Sequence, residues 1–145
     1  MFLSKSCVYG IRSVLYLTLE NHRRYIPIKE ISAKLEISFH FLTKILQTLS
    51  RAGFINSFKG PNGGVMLAKS PQMISVLDII SILDGDTIFE QCILGLPGCE
   101  EKTPCPMHES WSEHRNRLKE TFKQTNLEIL ASKMRDEGLR LYEIY

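Results

Sequence analysis

Three runs of apolar residues in the first half of the chain repeat at helical spacing. Val8, Ile11, Leu15 and Leu19 follow at steps of three and four and predict a helix over about 5–20 with that stripe inward. The polar run Asn21-His22-Arg23-Arg24 ends it. Ile28, Ile31 and Leu35 then repeat the spacing behind Pro27, a residue tolerated at a helix opening because its missing N–H would find no partner there anyway. Leu42, Ile45, Leu46 and Leu49 make the third stripe, with Ser38 placed to N-cap the helix and Gly53 placed to close it in the left-handed conformation. Phe39 and Phe41 also stand at helical spacing; either can touch a thymine methyl, and core is the favoured reading.

Beyond Gly53 the pattern turns extended. Phe54–Phe58 and Val65–Ala68 read as short strands around Lys59-Gly60-Pro61-Asn62-Gly63-Gly64, with Asn62-Gly63 expected at the hairpin turn because both tolerate positive φ. Ser75 and Asp78 have capping-box spacing and open a fourth helix to about Leu83. A loop broken by Gly95, Pro97, Gly98, Pro104 and Pro106 follows. A long polar helix is predicted over about 107–123, a shorter one over 127–134, and a tail after that. Met107, Trp111, Leu118 and Phe122 draw a narrow apolar stripe along the long helix, the geometry of pairing along one seam.

Two short helices joined by a tight turn, then a glycine-rich hairpin, predict a mainly α fold with a small β-hairpin: a winged helix-turn-helix plus a long C-terminal dimerisation helix. The expected organisation is a DNA-binding domain over 1–85, a cysteine-containing loop over 86–106, and a dimerisation helix with its tail over 107–145. On the third helix, Ser38, His40, Thr43, Lys44 and Gln47 are left outside the apolar stripe. Thr43 and Gln47 suit base edges, and Lys44 suits guanine or phosphate. The wing residues Lys59, Gly60, Pro61, Asn62 and Gly63 bring a charge and a backbone able to approach a phosphate or the minor groove.

Charge sharpens this picture. The net charge of +2 over 145 residues conceals ten basic against three acidic residues up to Ser70, and eight against thirteen after it. A basic amino-terminal half suits a polyanion such as double-stranded DNA. The composition, 43% hydrophobic and 23% charged, is globular, and no apolar run is long enough to span a membrane. The amino terminus lacks the features of a signal peptide, so a cytoplasmic protein is expected. No nucleophile–base pair or phosphate-binding loop marks an enzyme.

Of four cysteines, Cys7 sits alone on an apolar helix and reads as a small buried residue. Cys92, Cys99 and Cys105 are separated by six and then five residues, and His108 follows three positions later. Three thiolates and an imidazole from one loop suit a soft metal centre. Structural zinc sites usually contain a pair two to four residues apart, which this loop lacks.

Several of these segments together resemble a known family. Leu3-Ser4-Lys5, Tyr9, Ile37-Ser38, Leu42, Leu46, Ala52-Gly53, the wing from Lys59 to Gly64, Ile74-Ser75-Val76, Ile79-Ile80, Asp84-Gly85, the cysteine loop and Trp111 are similar to the IscR, NsrR and CymR regulators. The resemblance implies a homodimeric transcription regulator, a repressor or dual regulator, that binds a palindromic operator, with its long helix crossing to the partner. It also implies an iron–sulfur cluster on Cys92, Cys99 and Cys105, with His108 as fourth ligand. The 2Fe–2S form is favoured and 4Fe–4S is the alternative, since the spacing departs by one residue from the five-and-five pattern of relatives. Lys59 stands where many relatives carry arginine, which keeps the charge and loses the bidentate fork. The competing expectation is the same DNA-binding protein governed by thiol redox chemistry, a small effector or a protein partner.

Overall fold

The structure is a computed structural model that describes residues 2–141. Six helices and one two-stranded antiparallel sheet follow in the order α1 (Lys5–Leu19), α2 (Ile28–Leu35), α3 (Phe39–Arg51), β1 (Ile55–Phe58), β2 (Gly64–Leu67), α4 (Val76–Leu83), α5 (His108–Gln124) and α6 (Leu127–Glu137). Residues 142–145 of the tail lie outside the described residues. No described helix is long and apolar enough to cross a membrane.

Helix α1 is the hub, touching α2, α3, α4, α6 and β2. That placement changes its expected inner face. Of the four stripe residues only Leu15 is buried, while Val8, Ile11 and Leu19 are half-buried. The covered set is Cys7, Gly10, Ser13, Val14, Leu15, Tyr16, Leu17 and Thr18, because a helix packed on several sides needs more than one stripe. The buried hydroxyls of Ser13 and Thr18 donate to the carbonyls of Tyr9 and Val14, each at 2.7 Å, so they enter the core already paired.

The helix-turn-helix bends at Glu36, whose φ of 54° is the only positive value outside glycine among the described residues. Ile37 is buried behind it. Ser38 occupies the N-cap position of α3, but its side chain makes no capping bond and stays exposed. Ile31, Leu35, Leu42, Ile45, Leu46 and Leu49 are all buried in one cluster, the pedestal behind the outward face of α3. A second tie holds α2 to the end of α1: Arg23 donates to both oxygens of Glu30, at 2.5 and 2.8 Å, and the Tyr16 hydroxyl donates to Glu30 Oε1 at 2.9 Å.

In the wing, Ile55 pairs with Leu67 and Phe58 with Gly64, leaving five residues in the loop. A two-residue Asn62-Gly63 turn is therefore replaced by a turn from Gly60 to Gly63, closed by Gly63 N–H donating to the Gly60 carbonyl at 3.0 Å. Pro61 presets its first central position. The positive φ falls on Gly60 (120°) and not on Asn62 or Gly63. Ile26 adds an isolated antiparallel bridge on the other side of β2, exchanging both backbone bonds with Val65 at 2.9 Å. Gly64 lies under this contact: a Cβ there would come within 2.2 Å of the Ile26 carbonyl oxygen.

Ser75 and Asp78 form the capping box of α4, each side chain accepting the other's backbone N–H. Beyond α5 the chain returns to pair Ser75 with Asn126, and α6 packs on α1 with Leu127 and Ala131 buried. Helix α6 runs three residues past its expected end, to Glu137. The apolar stripe of α5 is only partly covered within the chain, and no α5 residue is fully buried. Leu118 and Phe122 pack against a small cluster of Cys7, Val76, Ile80 and Phe89, and Met107 stays exposed.

Candidate metal centre and nucleic-acid interface

Apart from a short 3-10 turn at Thr87–Phe89, the cysteine loop consists of turns and bends, so its shape depends on side chains reaching it from α5. Trp111 Nε1 donates to the Gln91 carbonyl at 2.9 Å. One turn later, Arg115 donates to the carbonyls of Glu90 at 3.0 Å and Gln91 at 3.3 Å. These bonds fix the backbone next to Cys92. Arg115 was not expected from sequence; its spacing of four from Trp111 is the signal that it shares that face.

Held this way, the loop brings together thiols far apart in sequence. The Sγ atoms of Cys92, Cys99 and Cys105 all lie within 4.8 Å of one another, the group of possible metal ligands found among the described residues. Within the set, Cys92 and Cys105 are 3.5 Å apart, and Cys99 Sγ lies 3.4 Å from His108 Nδ1. The Cys105 amide donates to Cys99 Sγ at 3.4 Å. His108 begins α5 and approaches Cys99, but it is not among the atoms that all lie within 4.8 Å of one another.

Two of the thiols differ in their electrostatics. The backbone N–H groups of Leu96, then Leu94, hold the Cys92 thiol down to about 7 against the opposing effect of burial. The Cys105 amide also pulls Cys99 down, but burial and the neighbouring thiols outweigh it and the net direction is upward. Three sulfurs this close cannot all be thiolates without a compensating charge, and a soft metal supplies it. The donor set therefore fits an iron–sulfur group. Cys7 stands apart: it is fully buried, and burial followed by the charge of Asp84 pushes its thiol up to about 12.

The second candidate surface is a groove of about 520 Å³ between α3, the start of α2 and the wing. Of the expected DNA-contact residues, Thr43, Gln47, Lys59, Gly60, Pro61 and Gly63 line it. Ser38, His40, Lys44 and Asn62 are exposed but do not line it. Thr43 donates its hydroxyl proton to the Phe39 carbonyl at 2.7 Å, which leaves the oxygen as an acceptor. Lys29, Ser57 and Phe58 also line the groove and were not singled out from sequence. The two α3 aromatics separate: Phe41 packs edge-on against Tyr9, while Phe39 is exposed on the groove wall, against its expected core position.

Residues 3–133 match the Rrf2 family, described as iron-dependent transcriptional regulators. The chain belongs to the Rrf2 family. It is 34% identical over 134 residues to a provisionally named HTH-type transcriptional regulator of Aquifex aeolicus, covering 91% of this chain and 92% of that one. It is 29% identical over 118 residues to the HTH-type transcriptional regulator IscR of Escherichia coli, covering 81% and 72%. Among solved structures, CymR, the global cysteine regulator of B. subtilis, superposes with a TM-score of 0.78 at 29% identity, over 90% of this chain and 95% of that one. This Rrf2 protein is thus a transcriptional regulator by family, with the mainly helical winged fold of its relatives.

Proposed function

We propose that this Rrf2 protein is a dimeric, sequence-specific DNA-binding regulator, a repressor or dual regulator, controlled by an iron–sulfur cluster on Cys92, Cys99, Cys105 and His108. The observation that carries the reading is the convergence of three thiols within 4.8 Å on a loop bonded to α5. The two close pairs, Cys92 with Cys105 and Cys99 with His108, favour 2Fe–2S, in which each iron takes two protein ligands. A 4Fe–4S cluster takes one per iron.

When bound, the cluster supplies a charge and redox state that changes with iron and oxidant. The chain's own residues carry that change outward. Trp111 and Arg115 couple the loop to α5, and Leu118 and Phe122 couple α5 to the small core around Ile80 and Cys7. Helices α1 and α4 in turn pack on α3, whose exposed face, with the wing, meets DNA through Ser38, His40, Thr43, Lys44, Gln47 and residues 59–63. A shift of two reading heads relative to each other changes affinity for a palindrome of fixed half-site spacing.

Anaerobic reconstitution with iron and sulfide tests the cluster. Coloured protein with about two irons and two sulfides per chain is expected, and colourless protein without iron would sink the claim. Sedimentation of the same sample tests the dimer. A second reading keeps DNA binding and replaces the cluster with thiol chemistry; it is favoured by the 3.5 Å approach of Cys92 to Cys105. It predicts a Cys92–Cys105 disulfide on peroxide treatment of iron-free protein, with a change in DNA affinity that dithiothreitol reverses.

A further inference from the structure

We infer that the groove between α3 and the wing holds one sugar–phosphate strand of DNA between Phe58 and Phe39, with Phe58 as a contact residue that supplies affinity independent of salt. This rests on the DNA-binding reading and adds the subsite within it.

Phe58 ends β1 on its outward side, where the residue paired with it across the ladder is Gly64, which has no side chain to cover the ring. The ring is 54% exposed. It is nevertheless held, because the Tyr25 ring packs against it in a tilted arrangement with centroids 5.4 Å apart and planes at 31°. An aromatic kept exposed and oriented loses little freedom when a partner arrives. Phe39 opens α3 on the facing wall, 38% exposed, with the His40 ring edge-on at 5.6 Å.

The groove around these rings selects the occupant. Lys29 and Lys59 line the same groove, which no acidic residue lines. Two apolar walls with two cations suit a ligand that alternates apolar and anionic groups along its length. A nucleic-acid strand does so, with deoxyribose carbons between phosphates. An uncharged hydrophobe would leave the lysines unused. A winged helix-turn-helix that places α3 in the major groove and its wing at the minor groove has one strand passing between them. The two rings therefore meet the sugars while the lysines meet the phosphates. Counterions are released only where phosphates are neutralised, so the ring contacts contribute without a salt slope.

The test uses a duplex selected from a random library by the full-length wild-type protein, with the dissociation constant measured from 50 to 200 mM salt. Phe58→Ser is expected to weaken binding about tenfold, from the apolar area no longer buried, with the slope of log affinity against log salt unchanged. Phe58→Leu retains part of the affinity and shows that a folded wing is present. Lys59→Ala lowers the slope by about one. Wild-type affinity in Phe58→Ser overturns the inference while leaving DNA binding in place. A slope reduced in Phe58→Ser as in Lys59→Ala also overturns it. A wild-type protein that selects no duplex overturns the DNA-binding reading, and the inference with it.

Discussion

Single side chains in this protein differ in chemistry according to what surrounds them, and cysteine shows it most clearly. Cys7 and Cys92 are the same residue type, yet burial pushes one thiol up to about 12 while backbone N–H groups hold the other down to about 7. Alkylation of reduced, iron-free protein near pH 8 is therefore expected to modify cysteines of the loop and spare Cys7 until denaturant is added. Modification of Cys7 under native conditions would contradict its burial. Glu30 offers a second test. Hydrogen bonds from Arg23, and then from Tyr16, hold its carboxyl down to about 2 from an ordinary 4.5. A carboxyl lowered in the folded state stabilises the fold above its ordinary value and loses that contribution as pH falls toward the folded one. Thermal melts should show the wild type above Glu30→Gln at neutral pH, with the gap closing between about 4.5 and 2. A gap independent of pH would mean the variant acts through packing. The Glu30 side chain is 30% exposed and its partner Arg23 37%, so the gap is modest.

At the scale of elements, local signals placed most boundaries well. The capping box at Ser75 and Asp78 and the left-handed Gly53 (φ 85°) formed as their spacing predicts. Such signals act within four residues, so the sequence carries them directly. The wing was less legible. Its strands were expected, but Ile26 joining as a third segment and the turn moving to Gly60–Gly63 depend on what lies beside the hairpin. Gly64 reports that dependence. Gly64→Ala is expected to cost about 1–3 kcal/mol, the range for forcing atoms into a packed site, because the new methyl meets the Ile26 carbonyl. An unchanged melting temperature would mean that Ile26 is not held against the wing.

For the whole molecule, α5 is the element whose role depends most on assembly. Its stripe was read as an intersubunit seam, and within the chain Leu118 and Phe122 already contact the core around Phe89. The same face, one turn and more toward its start, staples the cysteine loop through Trp111 and Arg115. Removing one staple should loosen the loop without touching a thiol. Trp111→Phe is expected to speed loss of iron from reconstituted protein to a chelator by about tenfold, the scale on which supporting bonds tune metal sites. Equal rates in the two proteins would place the loop's rigidity elsewhere.

The sequence by itself determined the elements, the charge division and the residues able to do chemistry: the helical periods, the glycine-rich wing, and the three cysteines with His108. These follow from interactions between near neighbours and from residue type. Only the tertiary structure decided which of them meet. It brought Cys92 and Cys105, 13 positions apart, to 3.5 Å, put Phe39 on the groove and Phe41 against Tyr9, and hid more of α1 than one stripe. The physical reason is that spacing fixes which side of an element a residue occupies. What lies opposite that side is set by long-range burial, in which every element competes for the same core.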